Sequence, residues 1–385
     1  MKKGLILKVS IILGIVASMT IFASSTSAAP AAGTITINGS EMLSGVGATY
    51  GKAVTNGILV AVDYVNAHGG ILGKQVHLNI EDNASSSPQT VNLVRKFVQD
   101  KNNGIIISPT YDLNWFPACA VANQAGIPLI TAQSSPPNAS QNPKGYCYTV
   151  TSPIAEQTTA AIDRIAQKLG KKRFALVHDQ GNPYQTTYDK IMAAYIKKSG
   201  YTLTSSEAVQ TEATDYSAQI TKMIQSKPDI VIPNLTTEDA ARFIQQARAR
   251  GLKAIFFSPD TNLTSSRIYA LSNGAAEGLI VANNQSEGAI PTYAAFVRLY
   301  TKKFGKVEDP SYSGYGYDAF VILAKAINKA GTATDREKIK ATLESMKSVC
   351  ASICYQYNGQ GAFLTKRLFY VKLTKNGWVS AKELG

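Results

Sequence analysis

The stretch GKAVTNGILVAVDYVNAHGGILGKQVHLNIED, residues Gly51–Asp82, decides the fold. Val54, Ile58, Ala61, Val62 and Val65 recur at helical steps and form one apolar stripe over Gly51–His68. After Gly69-Gly70 the period changes: Val76, Leu78 and Ile80 alternate as one face of a strand. Helix then strand is half of a parallel β-α-β unit.

The same alternation continues outward. Thr34–Asn38 reads as a strand before the helix. Behind it come a helix marked by Val91, Val94 and Val98, a strand at Gly104–Ile107, a helix at Asn114–Ala125 and a strand at Pro128–Ile130. The pattern then restarts with a helix over Ala155–Leu169, a strand at Phe174–His178 and a helix at Pro183–Ser199, closed by Gly200. Ser217–Gln225 (helix), Ile230–Pro233 (strand), Thr237–Arg250 (helix) and Ala254–Phe257 (strand) follow. Helices at Pro291–Phe304 and Ser313–Ala330 precede a final strand at Phe369–Leu373. Two such series predict an α/β protein of two doubly wound parallel-sheet lobes, with helices on both faces of each sheet. Small ligands on such sheets bind beyond the carboxyl ends of the strands. The polar loop Gln133–Asn142, directly after a strand, is a natural binding element.

The N-terminus sets the compartment. Lys2, Lys3 and Lys8 precede an apolar run from Val9 to Ala23, and Thr26-Ser27-Ala28 supplies small residues. This is the order of a secretory signal peptide over residues 1–28, with cleavage expected after Ala28. The apolar core is short for a membrane span. No cysteine follows the site, so lipid anchoring is not expected. About 357 residues would remain, enough for two domains. The net charge of +13 includes the three signal-peptide lysines, and the remaining basic residues are scattered in pairs such as Lys171-Lys172 and Lys302-Lys303. Without a basic tract, and outside the cytoplasm, nucleic acid is not an expected partner.

Four cysteines, Cys119, Cys147, Cys350 and Cys354, suit an oxidising compartment. Of the three possible pairings, Cys119–Cys147 with Cys350–Cys354 is favoured. The histidines His68, His77 and His178 lie far from them in sequence, so neither a metal nor a cofactor is expected.

Enzyme signatures fail on inspection. Gly45-Val46-Gly47-Ala48-Thr49-Tyr50-Gly51 has Tyr50 where the third glycine of a dinucleotide loop belongs, and Gly70–Lys74 lacks P-loop spacing, with Gln75 in place of the magnesium-holding hydroxyl. No G-x-S-x-G elbow occurs, and no serine motif points to the His178-Asp179 pair.

Taken together, these segments resemble the leucine/isoleucine/valine-binding protein family, the type I periplasmic binding proteins of ABC importers. The resemblance runs from about Thr34 to Leu373. It is carried best by Asn66-Ala67-His68-Gly69-Gly70-Ile71-Leu72-Gly73-Lys74, which fits the family's N-x-x-G-G-I-L-G-[RK]. Gly126–Ile130, Asp215–Ile220, Ala247–Leu252, Ala276–Gly278 and Gly316–Ala319 add to it in order. The resemblance implies a periplasmic receptor without enzymatic activity. It would capture an amino acid or related small polar solute between two closing lobes and deliver it to a permease and its ATPases at the inner membrane. A sensory module of the same fold is the alternative, because function lies in the site and not in the fold.

By resemblance, the lobes divide as 34–152 plus 284–354 and 153–283 plus 355–385, with crossings near Pro153, Asn283 and Tyr355. Tyr50 would wall the side-chain pocket. Ser134 and Ser135 would bind the carboxylate and ammonium of an amino acid. Tyr184 would be the aromatic lid, and Asp260 the acidic partner of the ligand ammonium or, alternatively, a turn cap. Thr236 stands where the family often has an aromatic residue. Asp112 aligns with a carboxylate-binding hydroxyl, and here the chain departs from the family. Two readings stay open: Asp112 caps the helix after a small slip in alignment, or the pocket has abandoned the α-carboxylate for an amide, amine or other neutral or cationic solute.

Overall fold

In the computed structural model, which describes residues 33–385, the stripe of the opening stretch is the buried face of a long helix. The signal peptide and its cleavage after Ala28 lie outside the described residues. The chain runs β1 (Ile35–Glu41), α1 (Ala48–Ala67), β2 (Val76–Asp82), α2 (Ser87–Gln99), β3 (Ile106–Ile107), α3 (Asp112–Ala125), β4 (Leu129–Ala132) and β5 (Cys147–Thr151). It continues through α4 (Ile154–Leu169), β6 (Arg173–Asp179), α5 (Pro183–Lys198), β7 (Thr202–Val209), α6 (Ser217–Ser226), β8 (Ile230–Asn234) and α7 (Thr237–Ala249). Then come β9 (Ile255–Ser258), a 3-10 turn at Thr261–Leu263, α8 (Arg267–Leu271) and β10 (Ile280–Asn283). The last part holds α9 (Pro291–Phe304), α10 (Pro310–Ala330), α11 (Arg336–Ser345), β11 (Ser348–Cys350), β12 (Cys354–Tyr357), β13 (Ala362–Leu364), β14 (Phe369–Thr374) and β15 (Gly377–Ser380).

Two sheets result. The first has the order β11-β12-β13-β5-β4-β3-β1-β2, the second β15-β14-β10-β9-β8-β6-β7. The strand–helix alternation produces parallel pairing from β5 to β2 and from β10 to β7; β13 joins parallel to β5, and β11, β12, β14 and β15 add antiparallel edges. Helices cover both faces of each sheet, as α/β layering demands. On the second sheet the alternate residues Ala175 and Val177 enter one core and Phe174 and Leu176 the other.

The sequence reading missed several strands. Thr202–Val209 is polar because β7 is an edge strand, paired only with β6. Cys147–Thr151 is fully buried, and its β-branched run Thr149-Val150-Thr151 is a strand signal the sequence reading passed over. The third crossing needs correction. Tyr355 lies inside the first sheet, paired with Val349 in the β11–β12 hairpin, and its hydroxyl donates to Asp318 of α10 at 2.6 Å. Because β13 then adds parallel to β5, residues 355–364 belong to the first lobe, and the chain crosses between Leu364 and Phe369.

One side chain ties the crossings together. Asn284, just after β10, donates to Gln157 Oε1 in α4 at 3.0 Å and to the Arg367 carbonyl at 2.6 Å, and accepts from the Tyr315 hydroxyl at 2.7 Å. Gln157 follows the passage from β5 to α4 and Arg367 lies in the passage from β13 to β14, so Asn284 links all three connecting segments.

The packing of α1 on α10 sets the first lobe. A Cβ on Gly57 would sit 1.9 Å from the Ser313 carbonyl oxygen, and one on Gly316 2.2 Å from that of Val54. The helices approach backbone to backbone, which only glycine permits. Both pairs of cysteines form disulfides, Cys119–Cys147 between α3 and β5 and Cys350–Cys354 across the hairpin.

Loop closure predicts unequal contributions from the two disulfides. Cys119–Cys147 spans 28 residues and Cys350–Cys354 spans 4. Replacing the first pair by alanine should cost about 3–4 kcal/mol and the second about 2 kcal/mol. Denaturant unfolding of the two double variants checks this; equal losses would refute the ranking.

Candidate functional site

The carboxyl ends of β1, β3 and β4 face those of β6, β8 and β9 across a cleft between the lobes, at the place where each sheet reverses its strand order. The closed cleft is narrow and keeps about 30 Å³ of free space for water-sized groups. From the first lobe Tyr50, Thr110, Tyr111, Asp112, Gln133 and Tyr312 line it; Tyr184, Gln185, Thr236 and Asn262 come from the second.

Tyr50 sits in the first turn of α1 and Tyr312 in the first turn of α10, so the close helix crossing brings their rings together at 4.7 Å. Asp309 caps α10 by accepting from the Tyr312 N–H at 3.2 Å, and Pro310 suits the first helical position.

Asp112 does not cap its helix. The residue before α3 is Tyr111, held at φ +94°, and no side chain closes that helix start. The Asp112 carboxylate reaches the loop after β4 instead. It accepts from the Ser135 N–H at 2.9 Å and from the Ser135 hydroxyl at 2.6 Å. Burial pushes the Asp112 carboxyl upward, and the two bonds from Ser135 oppose that shift. Ser134 is buried, and its hydroxyl oxygen accepts from the Tyr111 N–H at 3.2 Å. Beneath this loop Glu41 is fully buried at the end of β1, accepting from the Thr110 N–H at 3.1 Å and the Thr110 hydroxyl at 3.3 Å. The donors around these serines are therefore committed to the protein.

In the second lobe Asn182 caps α5 through the Tyr184 N–H at 3.0 Å, with Pro183 at the first helical position. Tyr184 donates its hydroxyl to Asp260 at 2.6 Å, and burial raises the phenol far above its ordinary range. Asp260 also accepts from the Ser258 hydroxyl and from the Asn262 N–H, each at 3.0 Å, and so caps the 3-10 turn. It sits behind Tyr184 in a smaller cavity with Tyr188 and Met192. Thr236 caps α7 through the Asp239 N–H.

Hydrogen bonds cross the cleft throughout. The Thr237 N–H donates to the Tyr50 hydroxyl at 2.8 Å, Asn182 to the Tyr111 hydroxyl at 2.6 Å, and the Tyr312 hydroxyl to Asn262 at 3.0 Å. Thr49 donates to Glu238 at 2.6 Å and accepts from Arg267 at 2.7 Å; Gln133 bonds to Thr261. Thr264 donates to Asp309 at 2.8 Å. The lobes stand closed.

Tyr50, Asp112, Tyr184 and Thr236 thus meet in one cleft, while Ser134, Ser135 and Asp260 support it from behind. Sequence reading missed Tyr111, Gln133, Asn262 and Tyr312 as pocket residues. Gln133 opens the loop singled out as polar and Tyr111 adjoins Asp112; nothing in the pattern marked Asn262 or Tyr312. Among the described residues, no group of three His, Cys, Asp or Glu side chains converges to hold a metal.

Comparison with known proteins identifies the class. The sequence profile described as periplasmic binding protein matches residues 34–368, and the chain belongs to that family. The Leu/Ile/Val-binding protein BraC3 of Rhizobium johnstonii is 26% identical over 351 residues, 91% of this chain and 94% of that protein. A leucine-, isoleucine-, valine-, threonine- and alanine-binding protein of Pseudomonas aeruginosa is 26% identical, covering 82% of this chain and 83% of its own. Among solved structures, a leucine-binding protein of Thermotoga maritima superposes with a TM-score of 0.80 at 21% identity, over 90% of this chain and 97% of that one. The branched-chain amino acid binding protein LivJ of Streptococcus pneumoniae, in complex with isoleucine, superposes with a TM-score of 0.78 at 22% identity, over 90% and 99%. These structures share the two-lobed α/β fold.

Two outcomes follow from this geometry. Tyr50→Phe strands the buried Thr237 N–H of the closed form and should cost that form about 1–3 kcal/mol. Small-angle scattering should report a larger radius of gyration for the variant; an unchanged radius would refute it. Burial also raises three carboxyls, Glu41 from 4.5 to about 8 and Asp309 and Asp318 each from 3.8 to about 7. A carboxyl raised in the folded state binds more protons there than in the unfolded chain, so stability falls as pH rises. The loss should begin near the ordinary carboxyl values and be complete above about pH 8. The melting temperature should therefore be lower at about pH 8.5 than at about pH 5.5, and Asp309→Asn should flatten the slope. A melting temperature that rises over this range would overturn the reading.

Proposed function

We propose that the protein is the extracytoplasmic receptor of an ABC importer, working in the periplasm after export. It captures an amino acid or related small polar solute between its lobes and presents the closed form to an inner-membrane permease and its ATPases. One observation carries the reading: a single cleft is lined from both lobes, and polar bonds cross it from each side. A solute touching both walls favours the closed arrangement by its extra contacts there, which is how binding becomes a signal to the permease. The named specificities of the curated relatives support this class of solute.

In this reading Tyr50, Tyr184 and Thr236 form walls. Asp112 sets the polarity. Ser134 and Ser135 act through Tyr111 and Asp112, and Asp260 acts by fixing the Tyr184 ring. No chemical step is assigned to any residue; the work is binding and closure.

Thermal unfolding against a panel of amino acids, short amides and amines tests the receptor role. A true ligand at 100 times its dissociation constant should add about 2.7 kcal/mol of stability, a rise of several degrees. The rise should keep growing with the logarithm of concentration. Failure of every small polar solute to shift the transition would sink the proposal.

A further inference from the structure

Four tyrosine rings, Tyr50, Tyr111, Tyr184 and Tyr312, enclose the cleft. Every one of their hydroxyls is already engaged: with the Thr237 N–H, the Asn182 amide, the Asp260 carboxylate and the Asn262 amide oxygen, at 2.8, 2.6, 2.6 and 3.0 Å. A solute inside meets ring edges and faces beside the Tyr50 and Tyr111 hydroxyls, which accept in these bonds, and a ring face attracts positive charge. No Lys, Arg or His is among the residues lining this cavity. The cations of the outer mouth are Lys52, Arg242 and Arg267; Arg242 pairs with Asp239, and Arg267 lies 3.7 Å from Glu238.

The donors nearest Asp112 are spent as well. Ser135 gives its N–H and hydroxyl to Asp112, Tyr111 its N–H to Ser134, and Thr110 its N–H to Glu41. Asp112 itself adds a carboxylate to the wall. One buried polar atom of the lining residues lacks a partner, the Gln133 side-chain oxygen, and it is an acceptor. A buried acceptor without a donor is costly, and a ligand N–H supplies the donor. Walls that are aromatic and acidic, with an orphan acceptor, match a cation and reject an anion.

We propose that the cleft binds a small organic ammonium ion lacking a carboxylate, its charge beside Asp112 and the tyrosine rings and one N–H donated to Gln133. The inference rests on the receptor reading above and names its solute class. Its apolar body extends past Tyr184 toward Phe116, Pro117 and Tyr188, in the more open recess that shares Asp112 and Tyr184 with the cleft. A free amino acid is disfavoured, because its carboxylate meets Asp112 and finds the nearby serine donors taken.

Titration calorimetry with matched probes tests this. The probes are 3-methylbutylamine against leucine, phenethylamine against phenylalanine, and 4-methylpentanamide as the neutral control. Each amine should bind at least tenfold more tightly than its amino acid and than the amide. Asp112→Asn should weaken amine binding at least tenfold. Tyr312→Phe should retain it and Tyr312→Leu should lose it, which separates the ring from the hydroxyl and from the fold, provided both variants melt cooperatively. Equal or tighter binding of leucine, phenylalanine or the amide would overturn the solute class while leaving the receptor role intact. So would undiminished amine binding by Asp112→Asn or Tyr312→Leu. If no amine, amino acid or amide binds at all, the receptor reading falls with it.

Discussion

The close crossing of α1 and α10 is the constraint on which the first lobe and its share of the cleft depend. Gly57 lies against the Ser313 carbonyl and Gly316 against that of Val54, so neither helix tolerates a side chain at the contact. The helices begin side by side, and the residues in their first turns, Tyr50 and Tyr312, meet at the mouth of the strands. From there Tyr50 reaches the start of α7 and Tyr312 reaches Asn262, both in the opposite lobe. A packing contact deep in one lobe thus aims the side chains that hold the other.

Closure itself is a balance of small terms. The bonds across the cleft join neutral groups for the most part, each worth about 1 kcal/mol net because water competes for the same partners in the open form. Such a balance is easily tipped by a ligand that touches both walls. The connecting segments are bound together by Asn284, which joins α4, the third passage and α10 through a single amide. Rotation of the lobes must therefore pivot around a buried polar junction and not around free loops.

Asp112 rewires the pocket that the family resemblance implies. An acid at that position gathers the Ser135 N–H and hydroxyl to itself, and the loop after β4 folds inward around it. The change alters both charge and donor supply, since the carboxylate brings a negative group and removes two donors at once. Tyr111 at φ +94° completes the arrangement by passing its N–H to Ser134. A local substitution read from sequence thus has its main effect on a partner more than twenty residues away.

What the sequence determined by itself is the two-lobed α/β class, because helical and strand periods report which face of each element is buried. The stripe of α1, the strands β6, β8 and β9 and the family motif around Gly69–Lys74 were all legible in that way. Polar or short strands such as β7 and the β11–β13 group were not, since β7 is a polar edge strand and β11–β13 are too short to show a period. For the same reason the third crossing was expected at Tyr355 and lies ten residues later: the strand pairing of Cys354–Leu364 with the first sheet has no local signature. Only the tertiary structure decided the site. It brought Tyr50, Asp112, Tyr184 and Thr236 to one cleft, added Tyr111, Gln133, Asn262 and Tyr312, and set Ser134, Ser135 and Asp260 behind the wall. A hydrogen bond is short-ranged and directional, so which donor a carboxylate claims depends on the angle at which two helices and two loops meet, and that angle is a property of the packed lobes rather than of any segment of sequence.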